Sequence, residues 1–250
     1  MSFDPIFYLY ANPDVAAAGV DPHEHFEKYG RAEGRVYALP QRPQRVESEF
    51  LRRREFFAKA FNMLSYNRIG GDYAEFGCGG GATLTMAYRE STDVGEGRTF
   101  WAFDSFKGLP PIEQSDDQHP EWHEGAYAVS EVDYRRRCRL AGVPEDQLRL
   151  VAGYYDNSLT KSDIEYPQDI ALAYVDCDLF SSTTTVLQFL RSRLKNGMLL
   201  AFDDYFCHTQ EGKSGEQKAF DLFRQETPEF SFEPYLTIGW HGQSFIAYRR

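Results

Sequence analysis

The sequence predicts an α/β fold: a doubly wound, mostly parallel seven-stranded sheet with an antiparallel edge strand, preceded by a small N-terminal helical module. Three observations carry that expectation. Short apolar runs alternate with segments of helical periodicity from about residue 46 onward, and apolar strands separated by helices build parallel sheets covered on both faces. Glycines cluster at alternate positions directly after the first such run. Asp104, Asp176, Asp178, Asp203 and Asp204 each stand at the end of a strand-like run.

Each element has a local reason. In residues 1–38, Phe7, Tyr8 and Tyr10 form an apolar cluster ahead of Asn12-Pro13, and residues 14–18 have room for one or two turns. Asp21-Pro22 reads as a cap followed by a first-turn proline, starting a helix that Gly30 and Gly34 end. Residues 39–45, LPQRPQR, hold two prolines without apolar periodicity and read as a linker to a domain over 46–250. Phe50, Leu51, Phe56, Phe57, Phe61 and Leu64 then recur at helical spacing, with LRRRE and Lys59 at the polar positions, and predict one long helix. Strands are expected at 72–77, 98–104, 148–155, 170–178, 197–204, 230–239 and 244–250, with helices at 81–90, 131–141, 183–195 and 214–226. The last two strands have no helix between them, so they are expected to pair antiparallel at one edge.

Composition narrows the function. A chain of 250 residues, 42% hydrophobic and 26% charged, is long enough and apolar enough for one α/β domain with an appendage. It has 27 basic against 38 acidic residues, a net charge of −11. That argues against a nucleic-acid partner, which requires a basic face. Cys78, Cys138, Cys177 and Cys207 show no CxxC spacing, so neither a zinc ribbon nor a redox motif is expected, and scattered thiols fit a reducing compartment. No apolar run reaches the roughly 18 to 20 residues of a membrane span. The start, MSFDPIFYLY, lacks the basic segment of a signal peptide. The expected location is cytoplasmic.

The most informative segment is GDYAEFGCGGGATL, 71–84. A strand ends at Glu75, and Gly77, Gly79 and Gly81 follow before a helix, so that a ligand can lie against bare backbone beside a helix N-terminus. A dinucleotide loop would read G-x-G-x-x-G, which these glycines fit imperfectly. The pattern E-x-G-x-G-x-G instead resembles the S-adenosylmethionine loop of class I methyltransferases, with Glu75 near the methionine amino group. Asp104 ends the second strand, where an acid can bind both ribose hydroxyls. Ser105 follows it, and Gly153 in VAGYYDNSL lies near the expected adenine position.

The fourth strand ends YVDCD and the fifth FDDY. Asp176 and Asp178 share one side of an extended strand, and parallel strands end at the same edge. Four carboxylates are therefore expected to converge beside the cofactor. A hard divalent cation, Mg²⁺ first among them, would relieve their repulsion and acidify an acceptor oxygen. Ser181, Ser182 and the Thr183–Thr185 run already offer caps for the next helix, which weakens a capping role for Asp178.

Together GDYAEFGCGGGATL, FDSFKGLP, YVDCDLFSST and FDDY resemble the TylF/MycF/NovP family, macrocin-type metal-dependent O-methyltransferases that act on sugars of glycosylated natural products. The resemblance covers roughly 46–250 and implies the class I (Rossmann-like) methyltransferase fold. It implies Asp176, Asp203 and Asp204 as metal ligands and Asp178 as general base. It also implies Glu75, Gly77, Gly79 and Asp104 as cofactor positions, to which the glycine-rich pattern adds Gly81, Ser105, Gly153 and Asp176. The segment after Asp204 is longer and more polar than the family leads one to expect, and His208 in it is a second candidate base. NPDVAAAGVDPHEHFEKYGRAEGR resembles a short module found beside bacterial glycosyltransferase and surface-polysaccharide domains, by which a glycan acceptor is suggested and a packing or dimer contact is equally compatible. Residues 111–128 read as a lid over the acceptor, with Trp122 or Tyr127 available to stack on a sugar. The partners expected are a sugar-bearing small molecule or glycan, with no nucleic acid and no membrane span, and a homo-oligomer is compatible with the chain. Three alternatives stay open: a phenol or catechol acceptor, a non-catalytic cofactor-binding partner of polysaccharide enzymes, and a nicotinamide dehydrogenase.

Overall fold

The computed structural model describes residues 3–38, 45–95, 97–210 and 212–250. The linker expected at 39–45 lies outside the described residues except for its last position, which opens a helix. Seven strands form one sheet in the order β3-β2-β1-β4-β5-β7-β6. These are β1 (Asp72–Phe76), β2 (Phe100–Asp104), β3 (Leu148–Ala152), β4 (Ile170–Val175), β5 (Leu199–Phe202), β6 (Phe230–Ile238) and β7 (Gly242–Arg249). The first five run parallel. β7 pairs antiparallel with both β5 and β6, so the strand running against the rest is second from the edge and β6 covers it.

Side-chain alternation divides the core in two. Tyr73, Leu172, Tyr174 and Leu199 face the long helix α4 (Arg45–Tyr66), whose Phe50, Phe56, Phe57, Phe61 and Leu64 are buried as their spacing predicts. Helices α5 (Ala82–Asp93) and α6 (Glu131–Leu140) share that face through Leu84 and Tyr134. Ala74, Phe76, Phe103 and Val175 face α8 (Phe180–Arg191) and α9 (Gly215–Glu226) on the other side, packing on Val186, Leu187, Leu190 and Phe220. A short helix α7 (Tyr155–Ser158), not expected from the sequence, takes the end of the third predicted strand.

The N-terminal helices are α1 (Pro5–Ala11), α2 (Pro13–Ala18) and α3 (Pro22–His25), the last continued by one π-helical turn. Asp4 caps α1 and also accepts from Arg89 at 2.9 Å, which ties the module to α5. Tyr8, Leu9, Val15, Ala16 and Phe26 form a small cluster of their own, while Ile6 and Phe7 enter the main core and Phe7 meets Phe50. Among the described residues no helix is long and apolar enough to cross a membrane.

The sheet order reverses between β1 and β4. At such a switch point, loops at the carboxyl ends of adjacent strands diverge to opposite faces and leave a crevice for a ligand. A cleft of about 740 Å³ opens there, lined by the loops that follow β1 to β5.

Candidate active site

The turn after β1 forms the first wall. Gly77 has φ +83°, and a Cβ there would stand 1.8 Å from the Asp176 carbonyl oxygen. Only glycine lets the β1 loop and the β4 loop touch. Gly79, at φ +42°, would point a Cβ into space containing no atom of the described residues within 4 Å. Gly77, Gly79 and Gly80 line the cleft. Gly81 instead caps α5 and packs toward Tyr134, outside the lining.

Asp104 ends β2 and lines the cleft with its carboxylate fixed from two sides. The Cys78 amide donates to Oδ2 at 2.7 Å and the Phe106 amide to Oδ1 at 2.6 Å. Ser105 donates to the Gly108 carbonyl at 2.7 Å, and Gly153 donates its amide to the Asp104 carbonyl at 2.9 Å. Both line the cleft. Glu75 does not. It is fully buried beneath the loop and accepts from the Tyr73 hydroxyl at Oε2, while Oε1 has no partner among the described residues. Burial, reinforced by Asp203 and Asp104, holds its carboxyl well above the usual range.

The second wall is acidic. Asp176, Asp203 and Asp204 each offer a carboxylate oxygen within 4.8 Å of the others. Asp178 lines the same cleft, but by a route other than the expected one. β4 ends at Val175, so Asp176 and Asp178 do not share the face of a strand. The chain turns after it, and Asp178 adopts a left-handed φ of +59° that swings its side chain back toward the cleft. Nor do the serines cap α8. Its N-cap is Leu179, and Asp117, from a 3₁₀ turn at 115–117, accepts from the Ser181 amide at 2.9 Å and hydroxyl at 2.7 Å.

Crowding sets the electrostatics. Burial pushes the Asp176 carboxyl well up, and Asp203, Asp204 and Asp178 push the same way. Burial and then Asp204 raise Asp178, with the Trp122 indole opposing them. Burial and then Asp203 raise Asp204. Asp203 moves down instead: burial alone would raise it, but Arg53 overcomes that penalty. Arg53 donates from Nε to Oδ1 at 3.1 Å and from Nη2 to Oδ2 at 2.7 Å, and the Tyr174 hydroxyl adds a further donor to Oδ1.

Three supporting residues escaped the sequence reading. Arg53 sits three residues after Phe50 and four before Phe57, on the buried stripe of α4, and a charge on such a stripe was the available signal. Glu216, fully buried in the first turn of α9, accepts from the Cys177 amide at 3.2 Å and the Asp204 amide at 2.9 Å. One side chain thus braces both acidic loops. His241, in the β6–β7 turn, lines the cleft and hydrogen-bonds the Asp203 carbonyl through Nδ1. A carbonyl only accepts, so Nδ1 carries a proton. Asp204, Cys207 and His241 also approach within 4.8 Å, but Sγ already donates to Asp204 and Nδ1 to Asp203.

His208 does not join the site. The turn through 203–206 carries it outward, where it is exposed and outside the cleft lining. In the expected lid, Trp122 is buried against Leu109, Ala126 and Leu179, which removes it from sugar stacking. Tyr127 lines the cleft with 60% of its surface exposed.

A sequence profile of the macrocin-O-methyltransferase (TylF) family matches residues 11–240. The chain belongs to the TylF family. The match starts within the N-terminal helices, so the family resemblance reaches further toward the N-terminus than residue 46. Demethyldecarbamoylnovobiocin O-methyltransferase of Streptomyces niveus is 30% identical over 165 residues, 62% of either chain. The 8-demethyl-8-(2,3-dimethoxy-alpha-L-rhamnosyl)-tetracenomycin-C 4'-O-methyltransferase of Streptomyces olivaceus is 29% identical over 143 residues, 55% of this chain and 54% of that one. This TylF-family chain therefore spans less than two thirds of the length of these curated relatives. The structure of the O-methyltransferase NovP aligns over 96% of both chains with a TM-score of 0.66 at 24% identity, and shows that the fold is the class I methyltransferase fold.

Proposed function

We propose that the protein is an S-adenosylmethionine-dependent O-methyltransferase that uses a divalent cation, Mg²⁺, and methylates a hydroxyl of a sugar-bearing small molecule. The observation that carries this reading is the meeting, in one cleft, of a bare glycine loop with the Asp176, Asp203 and Asp204 carboxylates. The residues fit both groups. Gly79 leaves open the space a methionine chain requires, and Glu75 Oε1 is a buried acceptor still without a donor. Three carboxylates and the Arg53 guanidinium leave two negative charges, which suits a divalent cation with oxygen ligands.

Bound S-adenosylmethionine supplies a methyl group made electrophilic by its sulfonium. A cation held by Asp176, Asp203 and Asp204 supplies Lewis acidity toward the acceptor oxygen. The chain's own residues do the rest. Asp104 takes the ribose hydroxyls with the carboxylate lone pairs its two amide donors leave. Asp178 accepts the proton of the acceptor hydroxyl. Its place in the cleft beside Asp204 puts it within reach of a hydroxyl held there. The exposed ring of Tyr127 offers a stacking face at the cleft. A sugar acceptor is supported by the Streptomyces olivaceus relative, whose name specifies a rhamnosyl group and a 4'-O position.

The test is labelled-methyl transfer to nucleotide sugars, glycosylated small molecules and catechols, with Mg²⁺ and with excess EDTA. Transfer to sugar-bearing acceptors is expected, abolished by EDTA and restored by Mg²⁺, while calorimetric donor binding survives chelation. Turnover that persists in EDTA overturns the metal assignment. Preferential methylation of catechols overturns the acceptor class.

A further inference from the structure

We propose that Arg137 anchors the α-carboxylate of the methyl donor's methionine portion, an inference that rests on the S-adenosylmethionine reading above. Arg137 lies on α6 with its guanidinium over the glycine loop, where a Cβ added at Gly80 would meet Nη1 at 3.0 Å. It lines the cleft. Nε is buried without a hydrogen-bond partner, and among the described residues Arg137 enters no ion pair. Its neighbours behave otherwise. Arg135 pairs with Glu131 and Glu145, and Arg136 with Asp133. The other arginine lining the cleft, Arg53, is committed to Asp203. Burial draws the Arg137 pKa down despite Asp133, as expected of a cation partly withdrawn from water without a full counter-charge.

The chemistry of the donor supplies that counter-charge. S-adenosylmethionine carries a sulfonium, an ammonium and one carboxylate. A cleft lined by Asp104, Asp176, Asp178, Asp203 and Asp204 attracts the two cations and repels the anion. The carboxylate therefore requires a positive partner on the glycine-loop side, away from the β4 and β5 ends. Arg137 is an uncommitted cation in that place, and a guanidinium matches a carboxylate with two parallel hydrogen bonds.

The experiment is calorimetry on the full chain with two ligands, S-adenosylhomocysteine and its decarboxylated analogue. Wild type is expected to bind S-adenosylhomocysteine more tightly. Arg137→Met should weaken that ligand by roughly 10- to 100-fold, the scale of a hydrogen-bonded charge contact, and leave the analogue's affinity unchanged. Arg137→Lys should retain part of the loss. Equal weakening of both ligands, or unchanged S-adenosylhomocysteine binding in Arg137→Met, overturns the assignment. Failure of wild type to bind either compound overturns the S-adenosylmethionine reading itself. Melting curves of the unliganded variants should superimpose on wild type, because Arg137 makes no ion pair among the described residues to lose.

Discussion

The two halves of the cleft are built on opposite principles. The glycine-loop half, at the ends of β1 to β3, is made of backbone. Its shape comes from positive φ angles, and its fixed carboxylate, Asp104, is held by two amides of adjoining turns. The carboxylate half, at the ends of β4 and β5, is made of side chains that repel one another. It holds together because Arg53, Tyr174, Glu216 and His241 reach in from other parts of the chain. The first half needs space, and the second needs counter-charge. The largest expected effect falls where the two touch. Gly77→Ala would drive a methyl group into the Asp176 carbonyl, backbone against backbone, with no rotamer to relieve it. It should cost about 4 kcal/mol or more, at the far end of single-substitution effects, and should weaken donor and metal binding together. Urea titration with parallel calorimetry measures both, and a loss confined to one ligand would show that the halves are not coupled through this contact.

The next effect isolates the carboxylate half. Arg53→Met removes the main counter-charge of Asp203, which is 5% exposed and keeps only the Tyr174 hydroxyl and His241 as favourable neighbours against the surrounding carboxylates. Breaking one partner of a buried pair leaves an uncompensated charge and should cost about 3 kcal/mol. Added Mg²⁺ should recover part of that loss, since a cation at the triad supplies the missing positive charge. A thermal shift series with and without Mg²⁺ provides the check. Equal destabilisation in both conditions would separate Arg53 from the metal site.

The same contrast explains what was legible in the sequence. The glycine-loop half is local: Glu75 to Gly81 is one run of seven residues, and its spacing is visible without a structure. The ligands of the carboxylate half were legible for a related reason, because parallel strands end at one edge and acids at those ends must converge. Their supports were not. Arg53 stands 150 residues before its partner Asp203, and Glu216 is 39 residues from Cys177. Such pairings depend on how α4 and α9 dock on the sheet, which residue periodicity within one helix does not specify. The backbone turn at Asp178 was missed for a different reason. Strand alternation holds only as far as Val175, where the ladder ends and the chain bends. Nearness to Asp203 and Asp204 in sequence singles out His208, whereas the β6–β7 hairpin brings His241, which sequence position does not point to, close in space.

Of the two glycine substitutions and Arg53→Met, Gly79→Ala should have the smallest stability effect, and it separates the halves most cleanly. Gly79 differs from Gly77 by two positions and shares its left-handed backbone, but its absent Cβ faces the cleft rather than the protein. Alanine at φ +42° should cost roughly 1 kcal/mol from backbone conformation alone. No neighbouring atom has to move, so Mg²⁺ affinity should stay at the wild-type value. Donor affinity should fall steeply, because the added methyl fills space that a bound methionine chain would use. Calorimetry with S-adenosylhomocysteine and with Mg²⁺ on the same variant gives both numbers. Donor binding that survives Gly79→Ala would mean that the open space over this loop is not where the cofactor lies, and the backbone half of the comparison would lose its ligand.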